Sequence, residues 1–185
     1  MWTRFEASAL FDFLLRVDRE LRAPVEIVLV GGSAIATIDP THATTDVDLL
    51  PPVSKEFDEA VQRLRSRGEP VLAVQITTVV DAPEGFEGRL QRISLSLSSL
   101  TVLLPERHDL AMMKLSRGYE HDLEALEDIH RLQPFDVDTL VARFKDTEAI
   151  GPRRRFAVSF LDLIARLFGE ERANGLRFLL PDSQA

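Results

Sequence analysis

The chain has 185 residues, 45% of them hydrophobic, enough for one domain with a sizeable core or for one domain with a helical appendage. Its 30 acidic and 22 basic residues give a formal charge of −8, which argues against broad, non-specific binding to nucleic acid. The absence of cysteine excludes disulfides and a thiolate zinc site, and no apolar run approaches the roughly eighteen residues that span a membrane. The opening Met-Trp-Thr-Arg-Phe-Glu lacks a signal-peptide layout, so a cytoplasmic location is expected.

Residues 3–22 read as an amphipathic helix, with Phe5, Leu10, Leu14, Val17 and Leu21 at mostly three- and four-residue spacing and Ala23-Pro24 as its stop. Val25 to Val30 is a short buried strand, Gly31-Gly32 a turn, and Ser33 to Ile38 a short helix. Asp39-Pro40-Thr41-His42 is a loop before a second strand, Thr45 to Leu50, which Pro51-Pro52 ends. Ser54 is a cap for a helix to about Arg67 that buries Phe57, Val61 and Leu64 and stops at Gly68. Val71 to Val80 reads as a third strand and Asp81 to Gly88 as a polar loop. Ile93 to Leu97 alternates like a half-buried strand, and Leu100 to Leu104 is a further one.

From His108 the pattern is helical: about His108–Arg117, Glu120–Leu132, Val137–Lys145 and Arg153–Glu171, with no assignment for the tail after Asn174-Gly175. Met112-Met113 reads as core packing. Strands first and helices last predict an α/β (α+β) fold, a short mixed sheet flanked by helices with a helical C-terminal extension. The expected division is a core over residues 1–105 and an extension over 106–185, packed together as one compact unit.

The stretch richest in chemistry runs from Val30 to Leu50, V-G-G-S-A-I-A-T-I-D-P-T-H-A-T-T-D-V-D-L-L. In a strand, Asp46 and Asp48 point to one face, and two adjacent carboxylates repel unless a cation lies between them. Magnesium with phosphate oxygens completing its shell is the natural partner. Gly31, Gly32 and Ser33 at a helix start form a phosphate cradle, so the pair of features points to a nucleoside triphosphate. The plainer readings are a polar strand start and an ordinary strand-to-helix turn capped by Ser33.

This segment resembles the signature of the DNA polymerase β-like nucleotidyltransferases: Gly-Gly or Gly-Ser, a spacer, then Asp-x-Asp between apolar residues. It is similar to the small bacterial branch related to the abortive-infection toxin AbiEii. There the core is followed by a pattern like His108 to Ile129, H-D-L-A-M-M-K-L-S-R-G-Y-E-H-D-L-E-A-L-E-D-I. The resemblance covers roughly residues 25 to 132. It implies a fold of nucleotidyltransferase type and magnesium-dependent transfer of a nucleotidyl group from a nucleoside triphosphate. The implied acceptor is an RNA such as a tRNA end, or a protein, with a toxin role and a cognate antitoxin as partner and no membrane. It also implies that Lys114 faces the nucleotide, helped by Arg117, with Asp122 orienting Lys114 or Arg117; the plainer readings are a surface lysine and an acid that favours the helix dipole.

Such enzymes usually carry a third acid on a strand beside the pair. The expected strand offers Gln75, Thr77 and Thr78, and Asp81 just past its end is the candidate. A chain without this acid would be a non-catalytic nucleotide-binding or scaffold protein. A transferase for small molecules such as aminoglycosides shares the same core. The histidines His42, His108, His121 and His130 show no metal-ligand spacing. Arg153 to Arg155 reads as a solvated helix start or as a contact for RNA or a partner. Phe156 and Phe160 read as core, or as a dimer or antitoxin surface.

Overall fold

The computed structural model describes residues 4–181. The chain divides into two compact units, one of residues 1–79 and 89–105, the other of residues 80–88 and 106–185.

The first unit holds a five-stranded mixed sheet: β1 (Val25–Leu29), β2 (Val47–Leu50), β3 (Val74–Ile76), β4 (Gln91–Arg92) and β5 (Leu100–Leu104), in the order β3-β2-β1-β5-β4. β1 runs antiparallel to β2, with Val28 opposite Leu50, and parallel to β5, with Ile27 opposite Val102. β2 and β3 are parallel, with Asp48 opposite Gln75, while β4 is antiparallel to β5. Three helices complete the unit: α1 (Ala7–Glu20), α2 (Gly31–Ile38) and α3 (Lys55–Ser66). α1 packs on α2, α3 and β5. Leu10, Phe13, Leu14, Ile27, Leu29, Ile35, Leu49, Phe57 and Leu64 form its core.

α1 is also held by charge. The Asp18 carboxylate accepts from the backbone N–H groups of Ser98, Ser99 and Leu100 at 2.7–3.1 Å, where the chain enters β5. Burial pushes this carboxyl up, but those three amides and nearby Arg19 outweigh it and hold it below its ordinary value.

The second unit carries α4 (Arg107–Leu115), α5 (Glu120–Leu132), α6 (Val137–Lys145), α7 (Arg153–Phe168) and α8 (Glu170–Gly175). Phe144 stacks on Phe160 at 4.4 Å and meets Phe156 at 4.8 Å, so the α7 stripe is core, as its spacing suggested. No helix among the described residues is long and apolar enough to cross a membrane.

The α/β fold class and most helices match the expectation. Ser54 caps α3 by accepting from the Phe57 N–H, and Gly68 takes φ +73° after the helix. Several elements differ. The first helix begins at Ala7. Thr3 lies outside the described residues, and Phe5 instead pairs with Thr44 through two backbone hydrogen bonds. The strand expected over Val71–Val80 shrinks to Val74–Ile76, an edge strand with only β2 to pair with. Residues 93–97 keep an alternating burial but form no ladder beyond the bond from Ile93 N–H to Val102 O. The long last helix breaks at Gly169, whose φ of +91° is incompatible with helix continuation.

Arg153, read as a solvated helix start, covers the Phe144 ring at 4.2 Å and donates to the Phe144 and Thr147 carbonyls. Burial lowers its pKa. Its cation sits on the end of α6, where the helix dipole welcomes it.

Candidate active site

The site is built around the joint between β1 and α2. β1 ends at Leu29, and α2 begins at once with Gly31 and Gly32, two residues earlier than the sequence pattern placed it. Gly31 adopts φ +61°, a left-handed conformation that glycine takes without a Cβ penalty. A Cβ on Gly31 would lie 2.1 Å from Asp48 Oδ2, and one on Gly32 would lie 2.5 Å from Thr44 Oγ1. The two glycines thus let side chains of the following loop and strand lie directly over the helix head. The first N–H groups of a helix have no intrahelical acceptor, and the helix dipole is positive there.

Ser33 does not cap this helix. It is its third residue and fully buried. Its hydroxyl donates to Val30 O at 2.8 Å and accepts from the Asp48 N–H at 3.1 Å, and the Val30 N–H donates to Asp48 O at 3.0 Å. Ser33 therefore fixes the glycine turn against the backbone of Asp48.

Asp48 lies within β2, whereas Asp46 precedes the strand by one residue. Both are half-buried, with Val47 fully buried between them. The loop that brings Asp46 there is tied down: Thr44 pairs with Phe5, and Asp39 Oδ1 accepts from the N–H and hydroxyl of Thr41. Thr77, just beyond β3, donates its hydroxyl to Asp48 Oδ1 at 3.3 Å and its N–H to Leu49 O.

Among the described residues, no three His, Cys, Asp or Glu side chains are grouped to hold a metal by themselves. Asp46 and Asp48 suit magnesium, which typically takes one or two carboxylates and completes its shell with water and substrate phosphate.

In the second unit, Lys114, Arg117 and Asp122 come together. Asp122, in the first turn of α5, is 1% exposed and accepts from Arg117 through both oxygens, at 2.5 and 3.1 Å. Lys114 Nζ lies 3.2 Å from Asp122 Oδ1, and its side chain is only 7% exposed, so the lysine is buried and not a snorkelling surface residue. A buried ammonium persists only beside such a partner.

A family described as nucleotidyltransferase of unknown function (DUF6036) matches residues 9–162. The chain belongs to this family. No curated protein and no solved structure matches the chain.

The family match spans the glycine turn, both aspartates and the Lys114 group. In this nucleotidyltransferase-family chain Asp81 is not beside a strand end, because β3 stops at Ile76. Asp81 belongs to the second unit, where its Oδ1 accepts from the Ile150 N–H at 2.9 Å. One residue near the turn, Thr77, escaped the sequence reading as a site component. Thr77 contacts Asp48, but nothing in a run of Thr-Thr-Val-Val singles it out. His42, in the loop between the two halves of the signature, places Nε2 3.6 Å from the Cβ position of Gly32. His108 is structural: Nδ1 meets Glu106 at 2.8 Å, and Nε2 accepts from the Asp136 N–H at 2.9 Å.

Proposed function

We propose that this chain is a magnesium-dependent nucleotidyltransferase that moves a nucleotidyl group from a nucleoside triphosphate to a hydroxyl of RNA, such as a tRNA end, or of a protein. The observation that carries this reading is the fit of Asp48 over Gly31 at the head of α2. It sets a carboxylate, and Asp46 close to it in sequence, beside amides suited to phosphate.

In this reading Asp46 and Asp48 hold the metal. Magnesium, when bound, neutralises triphosphate charge and favours ionisation of the attacking hydroxyl. The amides of Gly31, Gly32 and Ser33 bind phosphate oxygens, while the Ser33 hydroxyl holds the turn in register with Asp48. The resemblance assigns Lys114, held by Asp122 beside Arg117, to negative charge on the nucleotide. The acceptor oxygen bonds to the α-phosphorus as the bond to the leaving pyrophosphate breaks. Asp81 is assigned to the Ile150 contact and not to the chemistry. The resemblance to the AbiEii-related branch extends the proposal to a toxin role with a cognate antitoxin.

One observation favours a second reading. A threonine, not an acid, stands beside Asp48 on the neighbouring strand side. A protein that binds nucleotide without turning it over would have that arrangement.

The test is transfer of label from each α-labelled nucleoside triphosphate, with magnesium, to total RNA or lysate protein. Asp46→Ala and Asp48→Ala variants run alongside. Label that requires both aspartates supports transfer and names donor and acceptor. Nucleotide binding with no label in any fraction selects the second reading.

A further inference from the structure

In the second unit, an exposed aromatic pair stands at the start of α5. The rings of Tyr119 and His121 stack at 5.4 Å with planes 13° apart. Tyr119 is 52% exposed and the His121 side chain 71%. Arg155 places its guanidinium 6.0 Å from the Tyr119 centroid and donates to the Arg117 carbonyl. Among the described residues Arg155 has no ion pair. Arg117 is half-exposed, and its carboxylate partner Asp122 is shared with Lys114. The neighbouring acid Glu120 has both oxygens on Arg166, at 2.7 and 3.0 Å.

We infer that Tyr119, His121, Arg117 and Arg155 form a binding site for a nucleobase and its phosphate. A third ring can extend the Tyr119–His121 column, because stacking needs only an open π-face. Phosphate then meets the guanidinium groups, which suit it better than an ammonium would. The local cations explain how a chain of net charge −8 can still hold a polyanion at one place. The inference shares Arg117 with the transferase reading and rests on that reading to that extent. The base can come from a mononucleotide or from a single-stranded oligonucleotide, and the two are separated by experiment.

Tyr119 is the only tyrosine of the chain, so 3-fluorotyrosine labelling gives a single fluorine resonance. The full chain carrying Asp46→Asn and Asp48→Asn is titrated with ATP and, separately, with a single-stranded RNA twelve-mer. Affinity is measured in parallel by anisotropy of fluorescent forms of both probes. The expected result is a resonance shift that saturates with the measured affinity for at least one probe. Tyr119→Ala and His121→Ala then weaken that probe roughly tenfold. Tyr119→Phe keeps most of the affinity, because the ring remains. Arg155→Gln lowers the salt dependence of oligonucleotide binding by about one phosphate contact. A resonance that stays still with both probes, unchanged affinity in both alanine variants, or no binding of either probe overturns the site. Failure of the transferase reading shows elsewhere, as loss of label transfer with the resonance shift intact.

Discussion

Gly31 and Asp48 meet so closely that a β-carbon on the glycine would sit 2.1 Å from the aspartate Oδ2. The contact joins a positive-φ residue at a helix head to a carboxylate on the adjacent strand. Gly31→Ala must therefore displace Asp48 and also hold alanine in a left-handed conformation. The expected loss is about 1–2 kcal/mol from the backbone alone, with the clash in addition. Urea unfolding checks the stability, and label transfer should fall further than stability explains.

Thr77→Asp puts a second carboxylate against Asp48. Without metal, the two charges repel by roughly 1–4 kcal/mol in the range from water to a protein surface. Thermal melts should show the variant less stable than the parent without magnesium, and stabilised more than the parent by adding it. Equal magnesium responses would mean that Asp48 is not a metal ligand.

Asp18 binds three backbone amides, and its folded pKa lies below the unfolded value. A depressed carboxylate contributes stability above its unfolded pKa, and that contribution is lost as pH falls toward and through the folded one. Asp18→Asn should cost about 2 kcal/mol at neutral pH, in line with hydrogen bonds to a charged group. Its penalty should shrink as urea denaturation is repeated at progressively more acidic pH, below the ordinary aspartate range.

Asp122→Ala removes the carboxylate shared by Lys114 and Arg117. Breaking a buried pair from one side costs about 3–5 kcal/mol, because the remaining charge keeps its desolvation penalty. The double change Asp122→Ala with Lys114→Met should recover part of that stability in the same unfolding assay. No recovery would show that Lys114 is held mainly by other contacts.

Much of the architecture is legible along the chain. The bounds of α5 and α6 are those given by apolar spacing, and β5 falls on Leu100–Leu104. These elements carry their own signals: caps, glycine and proline stops, and an apolar period. The strand readings over 71–80 and 93–97 overshoot for a shared reason. Alternation reports which face is buried, whereas a strand also needs a partner for its backbone. Here β3 and β4 lie at the sheet edges, each with a single neighbouring strand to pair with.

The same division holds at the site. The Gly-Gly-Ser turn and the Asp46-Val47-Asp48 run stand out in sequence because burying paired acids and placing adjacent glycines are both costly without a purpose. Local sequence determined those features, the helices and their ends, since each depends on neighbours within a few residues. Only tertiary structure decided that the Ser33 hydroxyl accepts from the Asp48 N–H and does not cap its helix. It also decided that Thr77 stands beside that aspartate and that Asp81 serves Ile150. Each of those bonds joins residues far apart in the chain. Its existence depends on strand register and loop path, which no local pattern encodes.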